Sequence, residues 1–314
     1  MVTPALADAN NGNWQTARRW SQMLRSHYRV ELVSSWQGEP AEVLVALHAR
    51  KSADSIQRWA SERPGHPQVV VLTGTDLYRD IHVDARAQRS LELADRLVVL
   101  HEHAVEDLPA QHRSKAIACF QSTTARVPLV KTPRHLRCVM VGHLREEKAP
   151  QTYFEAVRRL AHRRDILLDH IGAALDPAFG DEARALQLSC PGYRWLGALP
   201  HETTRGRIQS AHVLVHTSRI EGGAHVVMEA ICSGTPVLAS RIAGNVGMLG
   251  SDYAGYFEPG DAEGLAALVE RCRDQPAILE EMCRQCAARA PLFEPERERA
   301  TLLALVDDLL EKPR

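Results

Sequence analysis

A strand–helix–strand pattern between Val213 and Leu249 is the feature that most constrains the fold of this chain. Short apolar runs predict one strand over Val213–His216 and another over Pro236–Ala239. Between them the sequence predicts a helix from about Ala224 to Cys232, which Gly234 ends as a left-handed cap. Two strands joined by a helix pair in parallel, so the pattern predicts a parallel sheet.

Small residues and two carboxylates lie inside this pattern. Gly222, Gly223 and Ala224 occur where the first strand enters the helix, and backbone amides at such a point favour phosphate. Glu221 precedes them and Glu229 follows, a separation of about 12 Å along a helix. That distance suits hydroxyls at the two ends of an elongated nucleotide sugar, and it is too wide for two acids acting on one bond. The alternative is a turn glutamate and a solvated helix glutamate.

These residues carry a family resemblance. Glu221-Gly222-Gly223, with Glu229 and Gly234-Thr235-Pro236, resembles the Glu-x7-Glu signature of the retaining glycosyltransferases of family 4. The resemblance implies an α/β protein of GT-B architecture, in which two Rossmann-like domains with parallel sheets face each other across a cleft. It implies that Glu221 contacts the donor sugar and Glu229 the nucleotide ribose. The implied donor-binding segment continues through His225.

A second motif follows the strand predicted over Cys138–Val141. The segment from Gly142 to Lys148 resembles the family's Gly-Arg-Leu-x-x-x-Lys loop, whose Arg and Lys neutralise the donor pyrophosphate. Lys148 matches the Lys, His143 stands at the Arg position, and Arg145 is the candidate substitute. The sequence has no Asp-x-Asp, so we expect no metal and no cofactor, with fixed cations stabilising the leaving diphosphate. The resemblance thus makes Glu221, Lys148 and Arg145 the catalytic candidates. A solvated charged turn is the alternative.

Composition argues against several other classes of protein function. Lys and Arg number 38 against 39 Asp and Glu, a balance that argues against a nucleic-acid partner. No apolar stretch approaches the roughly 18 residues of a membrane span, and the N-terminus lacks a signal pattern. The 7 scattered cysteines fit reduced thiols. We therefore expect a cytoplasmic protein without stable membrane association.

The N-terminal half predicts a second parallel sheet. Apolar runs at Val30–Val33, Val43–Leu47, Val69–Thr73 and Leu97–Leu100 alternate with helical patterns. A short first strand leads into a polar loop and a helix predicted from Trp14, with Asn13 as its N-cap. Polar residues follow the carboxyl ends of several predicted strands, which is where parallel sheets bind their ligands. Helix capping is the alternative role for these groups.

Segments of this half narrow the resemblance. Thr3–Ala17, Leu47–Ala53, Leu72–Asp80 and the later Gly244–Gly247 resemble the selenosugar synthases of selenoneine biosynthesis, a group within family 4. Those enzymes join selenophosphate to the anomeric carbon of a UDP-sugar such as UDP-N-acetylglucosamine and release UDP. The resemblance implies both substrates and a functional link to a selenophosphate synthetase.

An anionic acceptor would need an anion pocket rather than a strong general base, because selenium in selenophosphate is already anionic and soft. The acceptor-binding candidates are the polar and basic residues after the predicted strands and at the first helix: Asn10, Asn11, Gly12, Asn13, Arg18, His48, Arg50, Lys51, Thr73, Gly74 and Thr75.

The expected domains are an acceptor domain over residues 1–132, a nucleotide-sugar domain over 133–295, and a terminal helix over 296–314 that crosses back to the first domain. Two other functions stay open. One is an ordinary family 4 transferase with a hydroxyl acceptor, and the other is a non-catalytic nucleotide-sugar sensor.

Overall fold

Near-continuous apolar runs form the strands of two separate parallel sheets. The computed structural model describes residues 1–4 and 12–311. The chain forms two compact units. The first comprises Met1–Ser122, Glu221–Gly223 and Phe293–Arg314, and the second comprises Thr123–Ile220 and Ala224–Leu292.

The first unit contains a sheet in the order β1-β2-β3-β4, all parallel. Its strands are β1 (Leu44–Leu47), β2 (Gln68–Val71), β3 (Arg96–Val99) and β4 (Ala116–Ala118). Its first four helices are α1 (Gly12–Leu24), α2 (Ala53–Glu62), α3 (Ile81–Val83) and α4 (Ala85–Leu93). A π-helical turn, Asp76–Asp80, precedes α3.

The first extended segment lies inside this arrangement rather than at its edge. Val2 forms parallel bridges to Val33 on one side and to Ala46 of β1 on the other. After Val2, the chain first forms the extended segment with Val33 on one side of Val2 and then forms β1 on the other side. The loop that follows β1 lies beside this topological switch point, where open α/β sheets bind their ligands.

Alternate residues of each strand enter different cores, which explains why the strands read as continuous apolar runs. Leu44 and Ala46 of β1 pack in a cluster with Trp59 of α2. Val45 and Leu47 pack in the opposite cluster with Trp20 of α1. Trp20 is fully buried, so α1 packs its apolar face on the sheet.

The second unit has a sheet in the order β10-β9-β8-β5-β6-β7, also parallel. Its strands are β5 (Leu136–Val141), β6 (Ile166–Ile171), β7 (Tyr193–Trp195), β8 (Val213–His216), β9 (Val237–Ser240) and β10 (Tyr256–Phe257). Its helices are α5 (Pro150–Arg159), α6 (Pro177–Ser189), α7 (His201–Ser210), α8 (His225–Ile231), α9 (Ala243–Leu249), α10 (Ala262–Asp274) and α11 (Pro276–Arg289). Gly234 after α8 has φ 69°, the predicted left-handed conformation.

The last helix, α12 (Pro295–Glu311), belongs to the first unit. Its Leu302, Leu305, Val306 and Leu309 enter the core cluster of Trp20. Glu298 is 1% exposed and accepts hydrogen bonds from Arg19 Nε at 2.8 Å, Trp20 Nε1 at 2.6 Å and Ser122 N at 2.9 Å. One buried carboxylate thus joins α12, α1 and the segment after β4.

The segment before β5 contacts the second unit, to which it belongs. Arg126 N donates to Cys232 O at 2.8 Å, and Gln209 Nε2 donates to Val127 O at 2.8 Å. The segment from Thr123 to the start of β5 accordingly belongs to the second unit.

No helix within the described ranges, 1–4 and 12–311, is long and apolar enough to span a bilayer.

Candidate functional site

The switch point of the second sheet lies between β5 and β8. Cys138 of β5 pairs with Val213 of β8, yet the chain runs from β5 through β6 and β7 before it returns to β8. The loop Gly142–Lys148 follows β5, and the segment that leads to α8 follows β8. Ligands of open parallel sheets bind beyond the carboxyl ends of two such strands. The sequence motifs therefore occupy the position at which this fold binds ligands.

The loop after β5 brings three basic side chains close together in sequence and structure. Lys148 N donates to Arg145 O at 3.1 Å in a 3₁₀ turn, and the Lys148 stem packs beside Gly142. His143 Nδ1 accepts a hydrogen bond from Ala173 N at 3.1 Å. Burial lowers the pKa of His143, and the charges of Arg145 and Lys148 lower it further. The lowered pKa favours the neutral imidazole of His143 beside the cationic side chains of Arg145 and Lys148.

Arg145 itself is exposed. Its Nε lies 3.8 Å from Glu147 Oε2, and both side chains are more than two-fifths exposed. Such an ion pair contributes little rigidity. The predicted role of Arg145 as a substitute for the family's Arg therefore stays a prediction.

Glu229 lies on α8 and is 4% exposed. Its Oε1 accepts a hydrogen bond from His201 Nε2 at 2.6 Å, and Arg205 Nε lies 4.0 Å from the same oxygen. Both partners are on α7, which packs against α8. The sequence motifs did not include His201 or Arg205, because neither residue belongs to a recurring pattern.

The predicted helix over Ala224–Cys232 is shorter in the structure, beginning at His225 and ending at Ile231. Ala224 occupies the N-cap position, and its amide donates to the sulfur of Met248 at 3.1 Å. That amide donates to a side chain of α9. The sequence pattern instead suggests that the amide would be available to bind a phosphate group.

The segment Glu221–Gly223 belongs to the first unit. A Cβ added to Gly222 would lie 2.5 Å from Thr73 O, and one added to Gly223 would lie 3.2 Å from Leu100 Cβ. Close approach of the Thr73 backbone to Gly222, and of the Leu100 side chain to Gly223, therefore explains why small residues occupy these positions. This packing role accompanies the predicted contact with a donor.

Two loops of the first unit hold most of the predicted acceptor residues together. Asp76 is fully buried, and its carboxylate accepts from Thr73 N at 2.8 Å, Gly74 N at 3.0 Å and Ala49 N at 3.0 Å. One side chain that the sequence analysis did not select thus joins the loops after β1 and β2. Both loops lie at the carboxyl edge of the sheet.

His48 is central to this pair of loops. It is buried with a left-handed φ of 72°, a strained backbone of the kind that clusters at functional sites. Thr75 Oγ1 lies 3.3 Å from His48 Nε2. Burial lowers the pKa of His48, although nearby Asp76 raises it. His48 is therefore a neutral hydrogen-bonding group at pH 7.

The other acceptor candidates differ in placement. Arg50 is exposed, with Nε 3.5 Å from the buried Asp80, which offsets part of its charge. Lys51 and Arg18 are exposed. Gly12 and Asn13 begin α1, so the prediction of Asn13 as N-cap is wrong: the helix already includes Gly12. Asn10 and Asn11 lie outside the described residues.

In the described part of the chain, no group of three or more His, Cys, Asp or Glu side chains could hold a metal ion.

The two parallel sheets, with ligand-binding positions at their switch points, define a GT-B glycosyltransferase fold, and solved structures share it. The chain aligns with sucrose-phosphate synthase from Thermosynechococcus elongatus at TM-score 0.71 and 17% identity, over 86% of this chain and 74% of that one. It aligns with HepE of Anabaena in complex with UDP and glucose at TM-score 0.69 and 14% identity, over 93% and 89% of the two chains. The prediction of a GT-B α/β fold is confirmed.

Residues 124–292, more than half of the chain, match the family described as glycosyl transferases group 1, and the chain belongs to that family. A curated relative is D-inositol 3-phosphate glycosyltransferase of Streptomyces avermitilis, 23% identical over 286 residues and 86% of this chain. The chain spans 62% of the length of that relative.

Gly172, which follows β6, supports the loop after β5. Its φ is +153°, and a Cβ there would overlap Gly142 O and lie 2.9 Å from His143 N. We expect Gly172→Ala to displace the loop and to lower the free energy of unfolding by about 1–3 kcal/mol more than a glycine position without this overlap would lose. Gly250→Ala is the matched control, because Gly250 also has a positive φ, +93°, but no described atom outside its chain neighbours lies within 4 Å of the added Cβ. Urea unfolding compares the variants, and equal free energies of unfolding would contradict this role.

Proposed function

We propose that this chain transfers a sugar, N-acetylglucosamine in the first instance, from a UDP-sugar to selenophosphate. The observation that carries the transferase assignment is the switch point of the second sheet. The basic loop with Lys148 follows one of its two strands, and the segment leading to Glu229 follows the other. Open parallel sheets bind nucleotide ligands beyond the carboxyl ends of two such strands.

The proposed donor roles are those that the family resemblance implies. Glu229 holds the ribose hydroxyls of UDP, while Lys148, Arg145 and the His143 loop neutralise the pyrophosphate. Glu221 contacts the sugar. Solved relatives support a UDP-linked donor, since HepE of Anabaena was crystallised with UDP and glucose and the pneumococcal O-GlcNAc transferase GtfA with UDP and GlcNAc.

In the proposed reaction, a bond forms between selenium and the anomeric carbon. The bond from that carbon to the β-phosphate oxygen breaks, and UDP leaves with the electron pair. Preorganised cations stabilise the charge that develops on the leaving oxygen, so the reaction needs neither a metal nor a cofactor.

Selenophosphate as acceptor rests on the resemblance of four segments to selenosugar synthases. The loops fixed by Asp76 support it, because they gather neutral His48, Arg50, Lys51 and the Thr73–Thr75 segment at the carboxyl edge of the first sheet. Asn10 to Asn13 and Arg18 would complete the anion pocket. We place the enzyme in the cytoplasm, beside a selenophosphate synthetase that supplies the acceptor.

A hydroxyl acceptor is the second candidate. The relative from Streptomyces avermitilis is named for an inositol phosphate acceptor, and a phosphate on a polyol would use the same anion pocket. A nucleotide-sugar sensor is the third possibility.

Mass spectrometry after incubation with UDP-N-acetylglucosamine tests all three. We expect UDP and a selenium-bearing sugar when selenophosphate is present. UDP release with inositol phosphate alone would favour the second candidate, and binding without UDP release under any condition would favour a sensor.

The division of donor roles is tested separately by calorimetric titration with UDP. Glu229→Ala should weaken UDP binding about tenfold or more, the cost of one hydrogen bond to a charged group, because its partner is the ribose. Glu221→Ala should leave UDP affinity nearly unchanged and lower turnover, because its partner is the sugar. Equal losses of UDP affinity in both variants would exclude this division.

A further inference from the structure

We propose that His201 is a positioning residue for donor recognition: it holds one carboxylate oxygen of Glu229, so that the other oxygen meets the ribose hydroxyls of UDP. This inference rests on the proposed function and adds a residue that no sequence motif includes.

The geometry begins with two groups on one oxygen. His201 Nε2 lies 2.6 Å from Glu229 Oε1, and Arg205 Nε lies 4.0 Å from it. No hydrogen bond from residues 1–4 or 12–311 reaches Oε2 of Glu229. A carboxylate that is engaged on one oxygen presents the other one in a defined direction, which is how a recognition group is preorganised.

Arg205 cannot replace His201 in this role. Its guanidinium donates to Thr124 O at 2.6 Å and to Thr124 Oγ1 at 3.2 Å, which fixes it beside Glu229 without a hydrogen bond to the carboxylate. Its Nε is buried and has no hydrogen-bond partner among the residues that the structure describes. Arg205 therefore supplies electrostatic attraction, and His201 supplies the hydrogen bond that sets the direction of the carboxylate.

Burial divides the pair into a fixed part and an accessible part. The side chain of Glu229 is 6% exposed, whereas that of His201 is 69% exposed. Without His201, the carboxylate would rotate toward Arg205 or toward solvent, and the acceptor oxygen would lose its direction.

The charge state of His201 predicts how UDP affinity depends on pH. The hydrogen bond to Glu229 raises the pKa of His201, burial opposes the shift, and among the other charges Arg205 lowers the pKa while Glu202 raises it. The imidazolium is therefore present below the raised pKa and is lost as the pH rises through it. A charge-assisted hydrogen bond is about twice as strong as a neutral one, so UDP affinity should fall over that interval.

Calorimetric titration with UDP and with 2′-deoxy-UDP tests the inference. His201→Leu should weaken UDP binding about tenfold and 2′-deoxy-UDP binding much less, so the ratio of the two dissociation constants shrinks. His201→Gln, which retains a donor amide, should recover most of the loss but should lack the fall of affinity with pH.

His162→Leu is the matched control, because His162 forms another pair with a glutamate of the second unit, 3.4 Å from Glu270 Oε1. It should leave both affinities unchanged.

Three outcomes would overturn the inference. Tighter UDP binding by His201→Leu would mean that the imidazole occupies the ribose position. Equal losses for UDP and 2′-deoxy-UDP would indicate a general structural effect. A wild-type protein that binds no UDP would remove the proposed function and, with it, the premise, and this outcome is distinguished from the other two because it appears before any variant is compared.

Discussion

Replacing Glu298 with alanine is expected to lower the free energy of unfolding by about 3–5 kcal/mol, the cost of removing one partner of a buried ion pair. The Glu298 side chain is 0% exposed and that of Arg19 is 19% exposed, so water compensates little for the loss. Arg19 Nε and Nη2, Trp20 Nε1 and the amide and hydroxyl of Ser122 would all lose their acceptor.

Glu296→Ala is the matched control, because Glu296 lies on the same first turn of α12 but is exposed. Urea unfolding followed by circular dichroism compares the two variants. If Glu298→Ala lowers the free energy of unfolding no more than Glu296→Ala does, the hydrogen bonds to Glu298 do not stabilise the first unit.

Lys148→Ala is expected to lower the turnover number by about two to three orders of magnitude, in line with the removal of one preorganised donor from a developing negative charge. Lys148 lies in the loop after β5, and Thr217 Oγ1 donates to its carbonyl oxygen at 2.7 Å. That contact fixes the backbone of Lys148, so truncation of the side chain removes charge without releasing the loop.

Arg145→Ala should reduce turnover comparably if Arg145 replaces the family's Arg. Arg159→Ala provides the control: Arg159 is on the next helix and pairs with Glu155 at 2.8 Å. Steady-state kinetics with UDP-sugar and selenophosphate measure the effect, with and without excess chelator. Wild-type turnover in Lys148→Ala, or a strict requirement for a divalent ion, would contradict the proposed stabilisation of UDP.

The parts of the fold that could be predicted depend on local signals. The strand over Val213–His216 has the predicted bounds, and Gly234 ends the next helix as expected because only glycine adopts its φ at low cost. α6 was absent from the prediction, although Asp176 followed by Pro177 is a helix-start signal and the Asp176 side chain accepts from Ala178 N.

The candidate site was predictable where a motif marks it and not where distant segments meet. Lys148 and Glu229 belong to recurring patterns. By contrast, His201 lies 28 residues from Glu229, and Asp76 lies 27 residues from Ala49. Periodicity has no signal for such pairs, because one forms where α7 packs against α8 and the other where β1 and β2 align their carboxyl ends.

The position of α12 has a consequence for the order of folding during synthesis. Leu302 and Leu305 of this last helix enter the core beside Trp20, so one face of the first sheet stays open to water until the ribosome has passed them. The second unit, Thr123–Ile220 and Ala224–Leu292, precedes α12 in the chain and can fold earlier. Its folding would shorten the effective loop of 279 residues between Arg19 and Glu298, and so reduce the entropy cost of closing it.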